Sequence, residues 1–449
     1  MSDSTHPLLD QLFSSPAISE LFSDASRVQR MLDVEAALSK AEAALGVVPA
    51  AVAQAIATKC DATLIDFAAL GRDVALAGNL AIPLVKQLTA LVAKDDQEAA
   101  KFVHWGATSQ DVIDTAWVLQ LRNALALIEI DLQRLSSALV TLIKQHRSTL
   151  MVGRTLLQHA LPITFGLKAA GWLDAITRQR ARLTEMKPRV LVLQFGGAVG
   201  TLASLSGQGN DVATALAKEL KLGQPDLSWH SHRDRVVEVA TNLAILVGTL
   251  GKIARDISLG MQTEIGELAE PTAPGRGGSS TMPHKRNPIG CAVILSVAAR
   301  VPGLVSTMLT TMPQEHERGL GGWHAEWETL PEIVRLAAGA LHHMCEVIAT
   351  LKVDAARMKI NLDATNGLIM AEAVTTALGK RIGRQSAHEL VEQACRRAQI
   401  ERKHLREVLV EDATFSAHIG EQELERLMNP VNYLGDSENF IQRVLRAAE

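Results

Sequence analysis

The chain has 449 residues and a mass of 48.3 kDa, enough for two or three domains around a large core. Its 45 Lys and Arg against 49 Asp and Glu give a net charge of −4, so no global basic footprint points to nucleic acid. Aromatic residues are 3% against 47% hydrophobic, a balance that favours packed helices over a β-sandwich.

The cysteines Cys60, Cys291, Cys345 and Cys395 are far apart and show no metal-ligand spacing, so no metal is expected. They read as buried thiols in a reducing compartment, which points to the cytoplasm. Residues 1–15 lack a cationic start followed by an apolar run, so no signal peptide is expected. The apolar stretch Leu243–Leu250 is cut by Lys252 and Arg255 and is too short to span a bilayer, so no membrane is expected either.

Along the chain, the first polar constellation is His104-Trp105-Gly106-Ala107-Thr108-Ser109-Gln110-Asp111. Thr108 to Asp111 form a capping-box pattern, so a loop ends and a helix begins there. A plain N-cap explains it. A helix start with two hydroxyls, Thr108 and Ser109, is also a good carboxylate site, because its amides point outward. Val118, Leu121, Leu125, Ile128, Leu132, Leu135, Leu139 and Leu142 then alternate steps of three and four, which predicts a helix of about 30 residues whose stripe is buried in a bundle.

The second constellation is Gly153-Arg154-Thr155-Leu156-Leu157-Gln158-His159-Ala160-Leu161-Pro162. A lone His in apolar surroundings is usually a satisfied core residue. Arg154, Thr155 and Gln158 crowd beside this one, which apolar packing alone would not need. Gly196-Gly197-Ala198-Val199-Gly200 has no preceding strand and no fitting helix, which argues against a nucleotide loop. Trp229, Arg233, Val236, Ala240, Leu243, Val247, Leu250, Ala254, Ile257 and Met261 form a second long stripe. Pro271, Pro274, Gly275 and Gly277 then break helix and lead into Gly278-Ser279-Ser280-Thr281-Met282-Pro283-His284-Lys285-Arg286-Asn287-Pro288, a hydroxyl pair followed by cations on a loop expected to move. The expected organisation is all-α in three helical domains: residues 1–107, a long-helix bundle at 108–352, and 353–449.

The string from Gly278 to Asn287 resembles the fumarase/aspartase superfamily signature Gly-Ser-Ser-x-Met-Pro-x-Lys-x-Asn and matches it at every fixed position. The two earlier constellations match that superfamily's other two conserved regions, in order. The resemblance implies an all-α homotetramer around a central bundle, with each active site assembled from three subunits. It also implies proton chemistry beside a carboxylate, without metal or organic cofactor. Ser279 matches the catalytic proton-transfer residue. Lys285 and Asn287 match residues that bind the substrate carboxylate and stabilise its aci-carboxylate. His159 matches the general acid of the adenylosuccinate lyase branch.

Three departures narrow the branch. Lyases of the superfamily usually place a Glu seven residues after the signature lysine, where this chain has Ala292. The first domain carries Ala77-Gly78-Asn79-Leu80 in place of a Thr-Arg-His-Asp-type motif. After His316-Glu317-Arg318 it has Trp323 and Trp327 where a nucleotide phosphate would need Ser and Arg. These departures, with Gly322-Trp323-His324-Ala325-Glu326-Trp327, resemble the bacterial 3-carboxy-cis,cis-muconate cycloisomerase family of protocatechuate breakdown. That resemblance implies a small tricarboxylate substrate closing to 4-carboxymuconolactone. Arg154, Gln158, Arg276 and Arg318 are further substrate-binding candidates, and His159 is expected to orient substrate. Other readings stay open: a C–N lyase releasing fumarate, or an inactive structural protein on the same scaffold.

Overall fold

The computed structural model describes residues 8–271 and 277–448. Pro274, Gly275 and Arg276 lie outside the described residues. Helices dominate, as expected for the all-α class, and the strands form two small two-stranded sheets. Contacts divide the chain into two discontinuous units: Met1–Leu132, Gln179–Gly251 and Val293–His343 in the first, Gln133–Arg178, Lys252–Ala292 and Met344–Glu449 in the second. The longest helices among the described residues are Ser109–Gln145, Phe165–Val190, Asp234–Gly260, Ile289–Thr310 and Gly322–Ala349.

The first long stripe is one face of helix Ser109–Gln145, 37 residues long. Every stripe residue from Val118 to Leu142 is buried. Truncating one of these leucines to Ala would cost about 2–5 kcal/mol, because a packed interior only partly collapses around the gap. The second stripe exceeds its helix. Asp234–Gly260 has 27 residues, and Trp229 and Arg233 are buried ahead of it in the preceding loop. The apolar stretch Leu243–Leu250 is therefore part of a longer helix, not the short segment expected: Asp234–Gly260 and Ile289–Thr310 are both long and apolar enough to cross a membrane. Length and composition alone are weak grounds for a span. The core-facing side chains Leu243, Leu246, Val247 and Leu250 are buried within the protein itself.

In the first unit, helix Asp24–Ala44 packs on Ala50–Ala57 and Gly209–Leu220 around Leu32, Leu38, Leu84, Leu88, Val212 and Leu216. Gln179 Nε2 donates to Asn242 Oδ1 at 2.6 Å, cross-linking two long helices with a buried amide pair. In the second unit, Leu150–Thr155 (β1) and Gln158–Thr164 (β2) form an antiparallel hairpin the sequence did not predict. Its two turn residues, Leu156 and Leu157, are left-handed, with φ of 49° and 65°. Leu268–Ala269 (β3) pairs antiparallel with Lys352–Val353 (β4). The C-terminal helices Ala371–Ile382, Arg384–Glu401 and Leu405–Glu411 close on Val374, Leu378, Val391, Leu405 and Phe415.

Candidate active site

In the first unit, one half of the capping box at Thr108 forms: Asp111 Oδ2 accepts the Thr108 N–H at 3.0 Å, while the Asp111 N–H goes to the Thr108 carbonyl. Asp111 does more than cap. Its two oxygens also accept from Gly196 N at 3.0 Å and Gly197 N at 2.9 Å, and Oδ1 lies 2.7 Å from His230 Nε2. The glycine cluster is thus a close-approach loop wrapped on a buried carboxylate. A Cβ on Gly196 would meet Ser228 at 2.6 Å, and Gly197 has φ +67°.

The Thr108 hydroxyl accepts from Arg318 Nη1 at 3.1 Å, and Arg318 Nη2 donates to the Ala198 carbonyl at 2.9 Å. Arg318 has no carboxylate partner among the described residues, so its charge is available to an anion at the start of helix Ser109–Gln145. Ser109 is half-buried beside it. Ahead of this turn, His104 is left-handed (φ 62°) with Nδ1 2.6 Å from Glu35 Oε1. Burial opposes its charge, but the Glu35 carboxylate wins and the imidazole titrates above its ordinary value.

In the second unit, a register shift at Gly153 sets Arg154 directly across the hairpin from His159. Arg154 is committed to a bidentate pair with buried Glu267, at 2.9 and 2.7 Å, and Asn361 Nδ2 donates to the same carboxylate at 2.8 Å. Its bidentate face is therefore taken by Glu267, which holds one N–H of each terminal nitrogen and offsets its charge. Gln158 is exposed. His159 is half-buried, with Nδ1 sealed from solvent and unpartnered. Burial first, then the Arg154 charge, lower its pKa against a smaller opposing effect of Glu267, so the ring is neutral at neutral pH.

The signature loop is a pinned turn. Asn287 N–H donates to the Gly277 carbonyl at 2.8 Å, and Gly278 bridges to Arg286. Within it, the Ser279 Oγ accepts from Met282 N–H at 3.0 Å and from Thr281 N–H at 3.3 Å. The Lys285 side chain is exposed. Glu270, buried ahead of the loop, accepts from Gly290 N–H at 3.0 Å and Cys291 N–H at 2.7 Å, anchoring the following helix. Among the described residues, no hydrogen bond or ion pair joins Gln158 or His159 to the loop. Ala292 is exposed in the first turn of helix Ile289–Thr310.

The other departures have structural tasks. Asn79 Oδ1 accepts from Ala81 N–H at 2.9 Å and caps the next helix. Trp323 is 3% exposed and donates from Nε1 to Asp114 Oδ1 at 3.0 Å, and its ring stands edge-on to Trp327.

Residues that spacing could not reveal are Glu267, Glu270 and Glu35. Each meets its partner across a long stretch of chain, and only Glu35, on the buried stripe of its helix, carried a signal.

A family model described as lyase matches residues 13–303, and one described as adenylosuccinate lyase C-terminus matches 367–444. The chain is 55% identical to a 3-carboxy-cis,cis-muconate cycloisomerase of Pseudomonas aeruginosa, over 99% of this chain and 97% of that one. It is 53% identical to one of Bradyrhizobium diazoefficiens over 100% of both. The crystal structure of the 3-carboxy-cis,cis-muconate lactonizing enzyme from Pseudomonas putida superposes with a TM-score of 0.94 at 52% identity, covering 99% of each chain. With that agreement in fold, motif order and full-length identity, the chain belongs to the lyase family of the fumarase/aspartase superfamily, in its 3-carboxy-cis,cis-muconate cycloisomerase branch.

Proposed function

We propose that this chain is a cofactor-free intramolecular lyase closing 3-carboxy-cis,cis-muconate to 4-carboxymuconolactone. The observation that carries this reading is the end-to-end identity, 55% and 53%, with two relatives named for that cycloisomerase.

In the reaction one substrate carboxylate adds to a double-bond carbon, and the carbon alpha to another carboxylate takes up a proton. Atoms balance, because product is an isomer of substrate. Ser279 is the proton donor. Its oxygen already accepts two backbone N–H bonds, so its own proton is free to leave toward substrate and the alkoxide left behind is met by fixed donors. Lys285 and Asn287 hold the carboxylate whose aci-form develops charge. Thr108, Ser109 and Arg318 bind a second carboxylate. Neutral His159 orients substrate, with Gln158 beside it. The missing acid at Ala292 fits this chemistry, because a carboxylate leaving group in the reverse direction needs no proton.

The homotetramer with shared sites is part of the proposal. Two surfaces support it. Leu156 and Leu157 at the hairpin tip are 97% and 79% exposed. Helix Ile289–Thr310 has only 39% of its most apolar window buried in the chain. Apolar surface of this kind is normally covered by a partner. The four cysteines form no disulfide with one another, which fits a cytoplasmic location.

The test is an absorbance assay with enzymatically made 3-carboxy-cis,cis-muconate in the presence of a chelator. Loss of the diene band with formation of the lactone is expected. No turnover, or release of fumarate from adenylosuccinate instead, overturns the reading.

A further inference from the structure

His230 is buried in the loop ahead of helix Asp234–Gly260, outside the three motifs. Its Nε2 lies 2.7 Å from Asp111 Oδ1 and is the one side-chain partner of that carboxylate among the described residues. The other donors to Asp111 are backbone N–H groups. Oδ1 takes Gly196 at 3.0 Å, and Oδ2 takes Thr108 at 3.0 Å and Gly197 at 2.9 Å. The chain that carries the ring is itself fixed. The His230 carbonyl accepts from Gln110 Nε2 at 2.9 Å, and the Trp229 N–H donates to Gln194 Oε1 at 2.8 Å.

A buried, hydrogen-bonded histidine is commonly a satisfied structural residue. What sets His230 apart is what hangs from the carboxylate it meets. Among the described residues Arg318 makes two hydrogen bonds, to Thr108 Oγ1 at 3.1 Å and to the Ala198 carbonyl at 2.9 Å, and its Nε is sealed from solvent without a partner. Thr108 is held to Asp111 through its own N–H, and Ala198 directly follows Gly197, which is held in the same way. One carboxylate therefore sets both acceptors that aim the guanidinium. A buried carboxylate that loses a donor shifts to recover one, because an unmet acceptor away from water is costly. Such a shift moves the Thr108 turn and the glycine loop, and Arg318 with them.

We propose that His230 is a positioning residue for substrate binding: through Asp111 it holds the two acceptors that aim Arg318 at a substrate carboxylate. This rests on the tricarboxylate substrate and the role of Arg318 proposed above. It adds a residue that does not touch substrate and that no motif spacing marks.

The test uses full-length His230→Phe, which keeps a ring and removes the donor, and His230→Gln, whose amide nitrogen reaches about as far as Nε2. For His230→Phe, KM for 3-carboxy-cis,cis-muconate is expected to rise about 10-fold, the lower end of the effect of losing a hydrogen bond to a charged group, with kcat within about threefold. His230→Gln should recover most of that loss. Calorimetric binding of propane-1,2,3-tricarboxylate gives a readout independent of turnover, and its Kd should weaken by a similar factor in His230→Phe. The deciding measurement is a double-mutant cycle with Arg318→Met. In that background His230→Phe should leave kcat/KM and the tricarboxylate Kd within about twofold, because the guanidinium it positions is gone. A histidine that only supports the fold would weaken both backgrounds alike, and that result overturns the proposal. So do unchanged KM and unchanged tricarboxylate affinity in a folded His230→Phe. If His230→Phe does not fold, His230→Asn, whose amide stops short of Asp111, takes its place in the cycle. Unfolding of both makes the role structural and overturns the proposal as well. If wild type binds the tricarboxylate but does not lactonise the muconate, the reaction assignment fails, and the cycle read on the tricarboxylate Kd still decides the role of His230.

Discussion

Glu42 offers a quantitative test of the electrostatics beneath the Thr108 turn. It is 0% exposed, and among the described residues neither carboxylate oxygen has a hydrogen-bond partner. Burial first, then the charge of Glu35, push its pKa from 4.5 to about 8, and His104 opposes the shift. A folded-state pKa above the unfolded one means that stability is fully present below about 4.5 and is lost as pH rises through about 8. At ~1.36 kcal/mol per unit, the 3.5-unit window corresponds to about 5 kcal/mol. Glu42→Gln removes the titration and keeps the shape of the neutral acid. The buried amide adds a constant offset of its own, so the slope carries the information. The stability of Glu42→Gln relative to wild type should climb by ~1.4 kcal/mol per pH unit between about pH 5 and 8 and then level off. Denaturant unfolding at pH 5, 6, 7, 8 and 9, at one fixed protein concentration, measures it. Parallel stability profiles across that range would refute a neutral buried Glu42.

Three further outcomes follow from the site. Ser279→Ala should lower kcat by ~10²–10⁴-fold with the fold intact by circular dichroism, and retention of more than a tenth of wild-type activity removes Ser279 from the proton step. Ala292→Glu should lower kcat/KM for the muconate, because a new carboxylate ~4 Å from an anionic substrate at an effective dielectric of ~20 repels it by up to about 4 kcal/mol; a clear gain in kcat/KM means that His159 does limiting proton chemistry. Inactive Ser279→Ala and inactive His159→Asn chains, unfolded and reassembled together, should recover part of the activity, and mixed assemblies verified by native mass that stay dead rule out sites shared between subunits.

The fold was legible where a single period extended over many residues. The stripe from Val118 to Leu142 needed nothing but helical spacing, and all eight positions are buried. The second stripe ran past its helix because Trp229 and Arg233 are buried for another reason. Arg233 lies between Asp114 and Glu326, with hydrogen bonds of 2.7 and 2.6 Å, and takes the Trp229 ring at 4.9 Å. Periodicity records burial and cannot say whether a helix or a loop delivers it. The hairpin was invisible for a different cause. Its turn, Leu156-Leu157, lacks the Asn or Gly that normally marks two successive left-handed residues.

For the site, the motif supplied residue types and the structure supplies their electrical surroundings. Ser279 is recognisable from its neighbours in sequence, but the convergence of the Thr281 and Met282 amides on its oxygen depends on a turn pinned from Gly277 to Asn287. Arg154 shows what spacing leaves out. Its place beside His159 made it a carboxylate candidate, and Glu267, 113 residues away, already holds both of its outer nitrogens. A cation near a candidate base is available to substrate only if no buried acid has claimed it, and sequence spacing carries no record of such a claim. By that criterion Arg318 qualifies, because among the described residues its guanidinium meets only a hydroxyl and a carbonyl. Neutral partners leave the full charge of Arg318 for an anion, so replacing it by Met should weaken substrate binding far more than replacing Arg154 by Lys changes the charge offered to substrate.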